Sequence, residues 1–309
     1  MKKVIIIGHK CPDTDSIVAS LVAADYCKSV LKIDAKASRA GELNNETKFV
    51  LQELKEKAPA LIKSLKNNES VILVDHNEKD QAVDGLQVSQ LEAIIDHHKI
   101  VLATEKPIAI RIEPWGSTSS VLAKMYQEAG KKISPKIAKL ILAGILSDTW
   151  NLISPTSTEV DKKLLGELNK IAKINIKDFF QKMMAAKSSL KGISLETLVS
   201  QDYKLFEMGK YKVGIGVWET TGPQAVNKKK EKIVELLKAK KAKEKPDYMF
   251  FFVVDILKQE SWLYLIGEEE KKLAGKVFQG EDKDGLVHLK GIVSRKKQII
   301  PPFTKELTK

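Results

Sequence analysis

The apolar run VIII at residues 4–7 ends in GHKCPDTDS, and the arrangement returns twice: VILV runs into DHNE and AII into DHHK. Each run has the length of a strand and is rich in Val or Ile, the composition of a strand buried on both faces of a parallel sheet. Helical segments alternate with them. SIVASLVAADYCKSVL follows the first polar cluster, with Asp13 or Asp15 available near its N-terminus, and STSSVLAKMYQEAG follows EPWG. The alternation predicts an α/β first domain with a doubly wound parallel sheet. It also sets the polar clusters at the carboxyl ends of strands, where open α/β sheets bind their ligands.

In SPKIAKLILAGILSDT, residues Ile137, Leu140, Ile141, Gly144, Ile145 and Asp148 follow helical spacing over more than a strand's length, which puts Asp148 at a helix C-terminus. At 309 residues the chain exceeds the usual size of one domain. The pattern loosens into Ser, Lys and Gly around AAKSSLKGISLE, which sets the expected boundaries: residues 1–187 as the first domain, 188–194 as a linker and 195–309 as a second domain. Beyond the linker KVGIGVWET, YMFFFVVDIL and SWLYLIG read as strands, with the Lys-rich, helical NKKKEKIVELLKAKKAKEK between the first two. A smaller α+β domain with a mixed sheet is expected there.

Lys and Arg number 52 against 40 Asp and Glu, a net charge of +12 that favours an anionic ligand and leaves nucleic acid, membrane surface and phosphate compounds open. Two cysteines, Cys11 and Cys27, have no metal or disulfide spacing, which points to a reducing cytoplasm. No apolar stretch has the length to span a bilayer. The opening MKKVIII is interrupted by Gly8 and His9 before a signal-peptide core could form. A cytoplasmic protein without a membrane partner is expected.

His9, Asp13, Asp15, Asp75, His97, His98 and Asp148 come from four places in the first domain, three of them just past a predicted strand. Any one Asp after a strand is commonly a helix cap. The set converges on a metal site. Mixed His and Asp donors suit first-row divalent ions such as manganese, cobalt, iron or zinc better than magnesium held by oxygens alone. Carboxylates packed together repel unless cations sit between them, and Asp148 also faces the negative end of its helix dipole. Adjacent residues in an extended chain point opposite ways, so one of His97 and His98 is expected on metal and the other on substrate. His76 is a candidate for orienting a ligand, and His288 reads as a sheet residue.

In this order and spacing GHKCPDTDS, VDHNE, DHHK and ILSDT resemble the DHH phosphoesterase superfamily, and GIVSRKKQIIPP narrows the resemblance to the family II, manganese-dependent inorganic pyrophosphatases. The resemblance spans nearly the whole chain. It implies hydrolysis of pyrophosphate to two orthophosphates by a hydroxide bridging two Mn2+ ions, with Co2+ or Mg2+ as substitutes and a further Mg2+ arriving with the substrate. His9 and Asp13 would bind one ion, Asp15 and His97 the other, and Asp75 and Asp148 would be shared. His98 would touch substrate phosphate, and Lys204 in SQDYKLF with Arg295 and Lys296 in SRKKQ would hold pyrophosphate from the second domain, in an interdomain cleft. A homodimer is also implied.

Charge counting agrees with that assignment: the carboxylates of Asp13, Asp15, Asp75 and Asp148 against two divalent cations leave a nearly neutral site. Fully ionised pyrophosphate brings about four negative charges, so further cations are needed. Arg supplies bidentate contacts to phosphate oxygens and Lys a compact charge. Cys11 stands where the family commonly has Asn, and Trp115 and Trp150 replace smaller residues. A phosphodiesterase or exonuclease of the same superfamily is the rival enzyme, but no glycine-rich GGGH-type motif is present. A basic nucleic-acid-binding protein is the rival of another class. Its candidate run KKKEKIVELLKAKKAKEK has no aromatic residue and is interrupted by Glu231, Glu235 and Glu244, as a solvated helix face would be.

Overall fold

The computed structural model describes residues 4–104, 106–190, 192–283 and 285–309. It divides into two compact units, Met1–Ala186 and Lys187–Lys309. The first unit holds six strands, β1 (Val4–Ile7), β2 (Ala35–Arg39), β3 (Ala60–Leu61), β4 (Ser70–Val74), β5 (Leu91–Asp96) and β6 (Ala109–Ile112). All pair in parallel, in the order β3-β2-β1-β4-β5-β6. The winding reverses between β1 and β4, so the loops after these central strands part there and leave a crevice for a ligand. Every residue of β1 and β4 is buried, as the unbroken apolar runs require.

The helices of this unit are α1 (Thr14–Tyr26), α2 (Asn45–Glu53), α3 (Thr118–Glu128), α4 (Pro135–Thr149), α5 (Glu159–Ala172) and α6 (Ile176–Lys187). Their starts are set by side-chain caps from Asp13, Asn44, Ser117, Ser134 and Thr158 for the first five. Helix α4 is the helix predicted over SPKIAKLILAGILSDT, and it packs among α1, α3 and α5. The other side of the sheet differs from a regular alternation of strand and helix. Segments 76–90 and 97–108 contain no α-helix among the described residues. Leu65, Val83, Ile62, Leu86, Val88, Leu102 and Ile108 cover Ile5, Ile7, Val71, Leu73 and Leu91 instead.

The cause lies in the segment itself. Gly85 takes the left-handed conformation, φ 76°, with Leu65 O at 2.7 Å from where a Cβ would stand, which stops a helix in mid-segment. Side-chain amides then replace the helical ladder: Gln90 Nε2 donates to Lys66 O at 2.6 Å, and its Oε1 accepts from Gln87 N at 2.8 Å.

The second unit is a mixed sheet of β7 (Tyr203–Met208), β8 (Tyr211–Thr220), β9 (Tyr248–Asp255), β10 (Glu260–Tyr264), β11 (Glu281–Lys283) and β12 (Leu286–Lys290), ordered β11-β12-β10-β9-β8-β7. Among the described residues of this sheet, only β8 and β9 pair in parallel. Helices α7 (Leu195–Ser200), α8 (Gln224–Asn227), α9 (Lys230–Glu244), α10 (Glu268–Val277) and α11 (Ile300–Leu307) complete it. The Lys-rich run is interrupted before α9, which buries Ile233 and Leu237, exposes Glu231, Lys232, Glu235, Lys238 and Lys243, and holds Lys240 and Lys241 half-buried against Glu244 and Glu270. The described residues of the stretch 188–194 read as a linker pack onto this unit. Ser188 Oγ accepts from Thr221 N at 2.8 Å, and Leu190 and Ile193 lie against the core around Leu198 and Val199, because the Ser/Lys/Gly composition hides two apolar residues.

Two helical glycines make the packing testable. A Cβ on Gly144 would lie 2.1 Å from Ser119 Oγ and 2.4 Å from Asp15 Oδ1, whereas one on exposed Gly166 in α5 would meet nothing within 4 Å. Gly166→Ala is expected to raise stability in urea by up to about 1 kcal/mol through helix propensity. Gly144→Ala, the same change in the same type of element, is expected to lower it.

Candidate metal centre

The first cluster is organised by the start of α1. A Cβ at Gly8 would overlap Ser16 Oγ at 1.9 Å, and that hydroxyl accepts from His9 N at 3.2 Å. The absent side chain lets the loop close over α1. Asp13 then serves two purposes: its Oδ1 accepts from Ser16 N at 2.9 Å as the helix cap, and its Oδ2 lies 3.6 Å from His9 Nε2. The cap reading and the ligand reading of this residue are therefore compatible.

Asp15 is fully buried at the N-terminus of α3. It accepts from Thr118 N at 2.7 Å, from Ser119 N at 3.1 Å and from the Ser119 hydroxyl. Burial, and next the charge of Asp75, push its pKa well above the usual carboxylate range against the pull of Ser119 and Thr118. A cation would reverse that balance.

Asp75 occupies the left-handed region at φ 63°, a conformation a non-glycine residue keeps only where its surroundings enforce it. Its two oxygens face different partners. Oδ1 accepts from Thr118 Oγ1 at 2.9 Å and lies 3.5 Å from His97 Nε2. Oδ2 lies 3.5 Å from His9 Nε2 and is buried with no hydrogen-bond partner among the described residues. His97 donates through Nδ1 to Trp115 O at 2.9 Å, which fixes its tautomer and leaves Nε2 toward Asp75 and toward Asp148 Oδ2 at 3.6 Å. Asp148 sits one residue before the end of α4, which Trp150 closes in a left-handed turn at φ 48°.

Donor atoms therefore gather into a group from His9, Asp13 and Asp75 and a group from Asp15, Asp75, His97 and Asp148. Asp75 belongs to both. The resemblance implied that Asp148 would also be shared, and here it groups with the second set alone. His–carboxylate separations of 3.5–3.6 Å are too long for hydrogen bonds, and they suit neighbouring ligands on one ion with bonds of about 2.1 Å. The orphaned Asp75 Oδ2 and the mixed imidazole–carboxylate set fit manganese.

The two adjacent histidines do not diverge as an extended chain predicts. Strand β5 ends at Asp96, whose Oδ1 accepts from His97 N at 2.7 Å, His98 N at 3.1 Å and His98 Nδ1 at 2.8 Å. This bend brings the imidazoles to 4.3 Å, edge to face, and His98 Nδ1 to 4.0 Å from Asp75 Oδ1. Asp75, His97 and His98 form a third group of possible donors. With Nδ1 held by Asp96, His98 keeps Nε2 for another partner.

Asp96 and Asn77 were missed by residue-level reasoning, although both stand inside the quoted motifs. Burial raises the Asp96 carboxyl, but the hydrogen bond from His98, the charges of His98 and His97 and the Asn77 amide outweigh it and hold the pKa far below the usual range. Asn77 Nδ2 donates to Asp96 Oδ2 at 2.7 Å and to Lys99 O at 2.9 Å, and its Oδ1 accepts from Val101 N at 2.7 Å. His76 donates through Nδ1 to Val74 O at 2.9 Å and lies edge-on to His9, 6.2 Å between centroids. Burial, then the charge of His9, push its pKa down to about 4, so it packs as a neutral ring.

Of the unusual residues, Trp150 is buried in the core while Trp115 is half-buried and lends its carbonyl to His97. Cys11 is half-buried. Burial raises the Cys27 thiol to about 11, which makes it unreactive. His288 lies in β12 and pairs with Glu260 at 2.9 Å, a sheet contact.

In the second unit Arg295 opens a π-helical turn, Arg295–Ile299, and grips Asp202: Nη2 is 2.8 Å from Oδ1, and Nη1 donates to the carbonyl at 3.0 Å. Lys204 lies two residues beyond Asp202 in β7, opposite Ile215, and Lys296 is exposed. Gln298, the unremarked end of SRKKQ, shapes the turn. Its Oε1 accepts from Val293 N at 3.0 Å and Ser294 N at 2.9 Å.

The DHH family, N-terminal domain, matches residues 3–145 of the chain, and the DHHA2 domain matches residues 181–306. These matches, which together span most of the chain, define a two-domain protein of the DHH class, and the donor groups lie in its N-terminal domain. Over 307 residues the chain is 39% identical to the manganese-dependent inorganic pyrophosphatase of Methanocaldococcus jannaschii, covering 96% of this chain and 97% of that one. The crystal structure of a Methanococcus jannaschii "putative family II inorganic pyrophosphatase" superposes with a TM-score of 0.88 at 37% identity, covering 99% of this chain and 100% of that one. An exopolyphosphatase-related protein from Bacteroides fragilis shares the fold, with a TM-score of 0.52 at 16% identity over 99% of this chain and 93% of that one. The chain belongs to the family II, manganese-dependent inorganic pyrophosphatases.

Asn77→Ala is expected to leave buried Asp96 Oδ2 without its amide donor and to cost about 1–3 kcal/mol of stability in urea.

Proposed function

We infer that the protein hydrolyses inorganic pyrophosphate to two orthophosphates at a manganese centre. The observation that carries this reading is Asp75, whose oxygens face two different His–Asp groups in a chain related at full length to manganese-dependent inorganic pyrophosphatases. Two Mn2+ ions per chain account for two donor groups with a common carboxylate, with Co2+ or Mg2+ as substitutes. A further Mg2+ would arrive with the substrate to offset its charge. When bound, manganese lowers the pKa of a water ligand and draws charge from phosphoryl oxygens.

The remaining steps fall to the chain. His98, held through Nδ1 by ionised Asp96, presents Nε2 to a phosphate oxygen. Arg295, Lys204 and Lys296 supply the positive charge that pyrophosphate requires, and phosphate would compete with Asp202 for the Arg295 guanidinium. Neither a phosphorylated side chain nor a nucleic acid enters this scheme.

A homodimer is supported by the open edge of β6 with exposed Ile110, and by exposed Ile100 and Val101. A cytoplasmic location is supported by the sparse cysteines and their lack of disulfide spacing. No helix among the described residues is long and apolar enough to cross a membrane.

After chelator treatment, added manganese is expected to restore orthophosphate release from pyrophosphate while a short oligonucleotide stays intact. Rapid cleavage of the oligonucleotide with inert pyrophosphate would overturn the assignment. Arg295→Ala is expected to lower turnover by about 100-fold or more, the scale of losing one charge-stabilising donor. Its manganese binding, measured by titration without substrate, should stay close to that of the unaltered protein.

A further inference from the structure

Three ligands of the second donor group depend on one segment, residues 115–120, the loop entering α3 with the first turn of that helix. Trp115 O receives His97 Nδ1 at 2.9 Å, Thr118 N and Ser119 N hold Asp15 at 2.7 and 3.1 Å, and Thr118 Oγ1 holds Asp75 at 2.9 Å. What fixes the loop is a residue outside every motif, Asp161, in the first turn of α5 and fully buried. Its Oδ2 accepts from Gly116 N at 2.9 Å, from Thr158 N at 2.8 Å and from Thr158 Oγ1 at 2.6 Å. Its Oδ1 accepts from Ser120 Oγ, which also receives Ser117 Oγ at 3.1 Å.

A second observation places the same residue against the fourth ligand's segment. A Cβ on Gly116 would lie 2.5 Å from Thr149 Cγ2 and 2.7 Å from Asp161 Oδ2. Gly116 is thus pressed between Asp161 and the residue that follows Asp148. The chain leaving α4 is tied down next to it, with Ser154 N and Ser157 Oγ donating to Thr149 O at 2.9 and 3.3 Å, before it reaches Thr158. Among the described residues, no hydrogen bond of Asp161 reaches the loop of His9 and Asp13.

We propose that Asp161 is a positioning residue for one of the two manganese sites, holding the 115–120 segment and the end of α4 so that Asp15, Asp75, His97 and Asp148 face one ion. It rests on the two-ion reading above. The carboxylate acts through the loop, never on the ion. Outer-shell partners of metal ligands are worth about 10–100-fold in affinity, and one removed by a further bond should fall near the lower end.

The test is manganese titration of the metal-stripped full chain, by calorimetry and by the electron paramagnetic resonance of free Mn2+, for the unaltered protein and for Asp161→Asn. The amide keeps the shape but turns one oxygen into a donor facing donors. Two ions on the unaltered protein, with one bound normally and the other about tenfold more weakly in Asp161→Asn, is the expected result. Equal weakening of both, as general loosening would produce, or two normal affinities, would overturn the proposal. Should Asp161→Asn fail to fold, Ser120→Ala removes only the Oδ1 partner, and the same selective weakening is expected, with unchanged affinities counting against it. An unaltered protein that does not take two ions would overturn the two-ion reading itself.

Discussion

Carboxylates held in a dry interior repel one another and resist burial, and the first unit is built around the need to tolerate several of them. Asp75 is the focus. It is held in a left-handed backbone conformation with one oxygen turned to His97 and the other to His9. Asp15 is tolerated because the amide groups at the start of α3 point at it, and Asp96 because two histidines and an asparagine surround it. Each acid is stabilised from a different side, and cations complete the set.

Much of this was legible in the sequence, since buried strands announce themselves as unbroken Val and Ile runs and the polar residues that follow them fall at one edge of the sheet. The α4 helix and its terminal Asp148 could be read from spacing alone. What could not be read was the bend after β5. Alternation along an extended chain separates His97 from His98, and only the three hydrogen bonds collected by Asp96 Oδ1 bring them together. The chain between β4 and β5 was no more legible, since left-handed Gly85 and the bonds of the Gln90 amide hold it as irregular segment where the sequence reading assigned no element.

Asp161 was illegible for a different reason. A buried acid within an amphipathic helix looks like an ordinary capping residue, and its capping bonds to Thr158 are real. Its contacts with Gly116 and Ser120 span more than forty residues, 45 and 41, and sequence spacing carries no trace of them. The second unit shows the same limit, since Arg295 and Asp202 are 93 positions apart.

The double use of Asp13 makes the metal a participant in folding. One oxygen starts α1 and the other belongs to the first donor group, so an ion settling there also stiffens the first turn of a helix packed against α3 and α4. An ion that binds only the folded chain adds stability with the logarithm of its free concentration, about 2.7 kcal/mol at a hundred times its dissociation constant. Binding of that kind would couple the endurance of the folded chain to manganese supply, so that scarcity would both idle the enzyme and expose it to proteolysis.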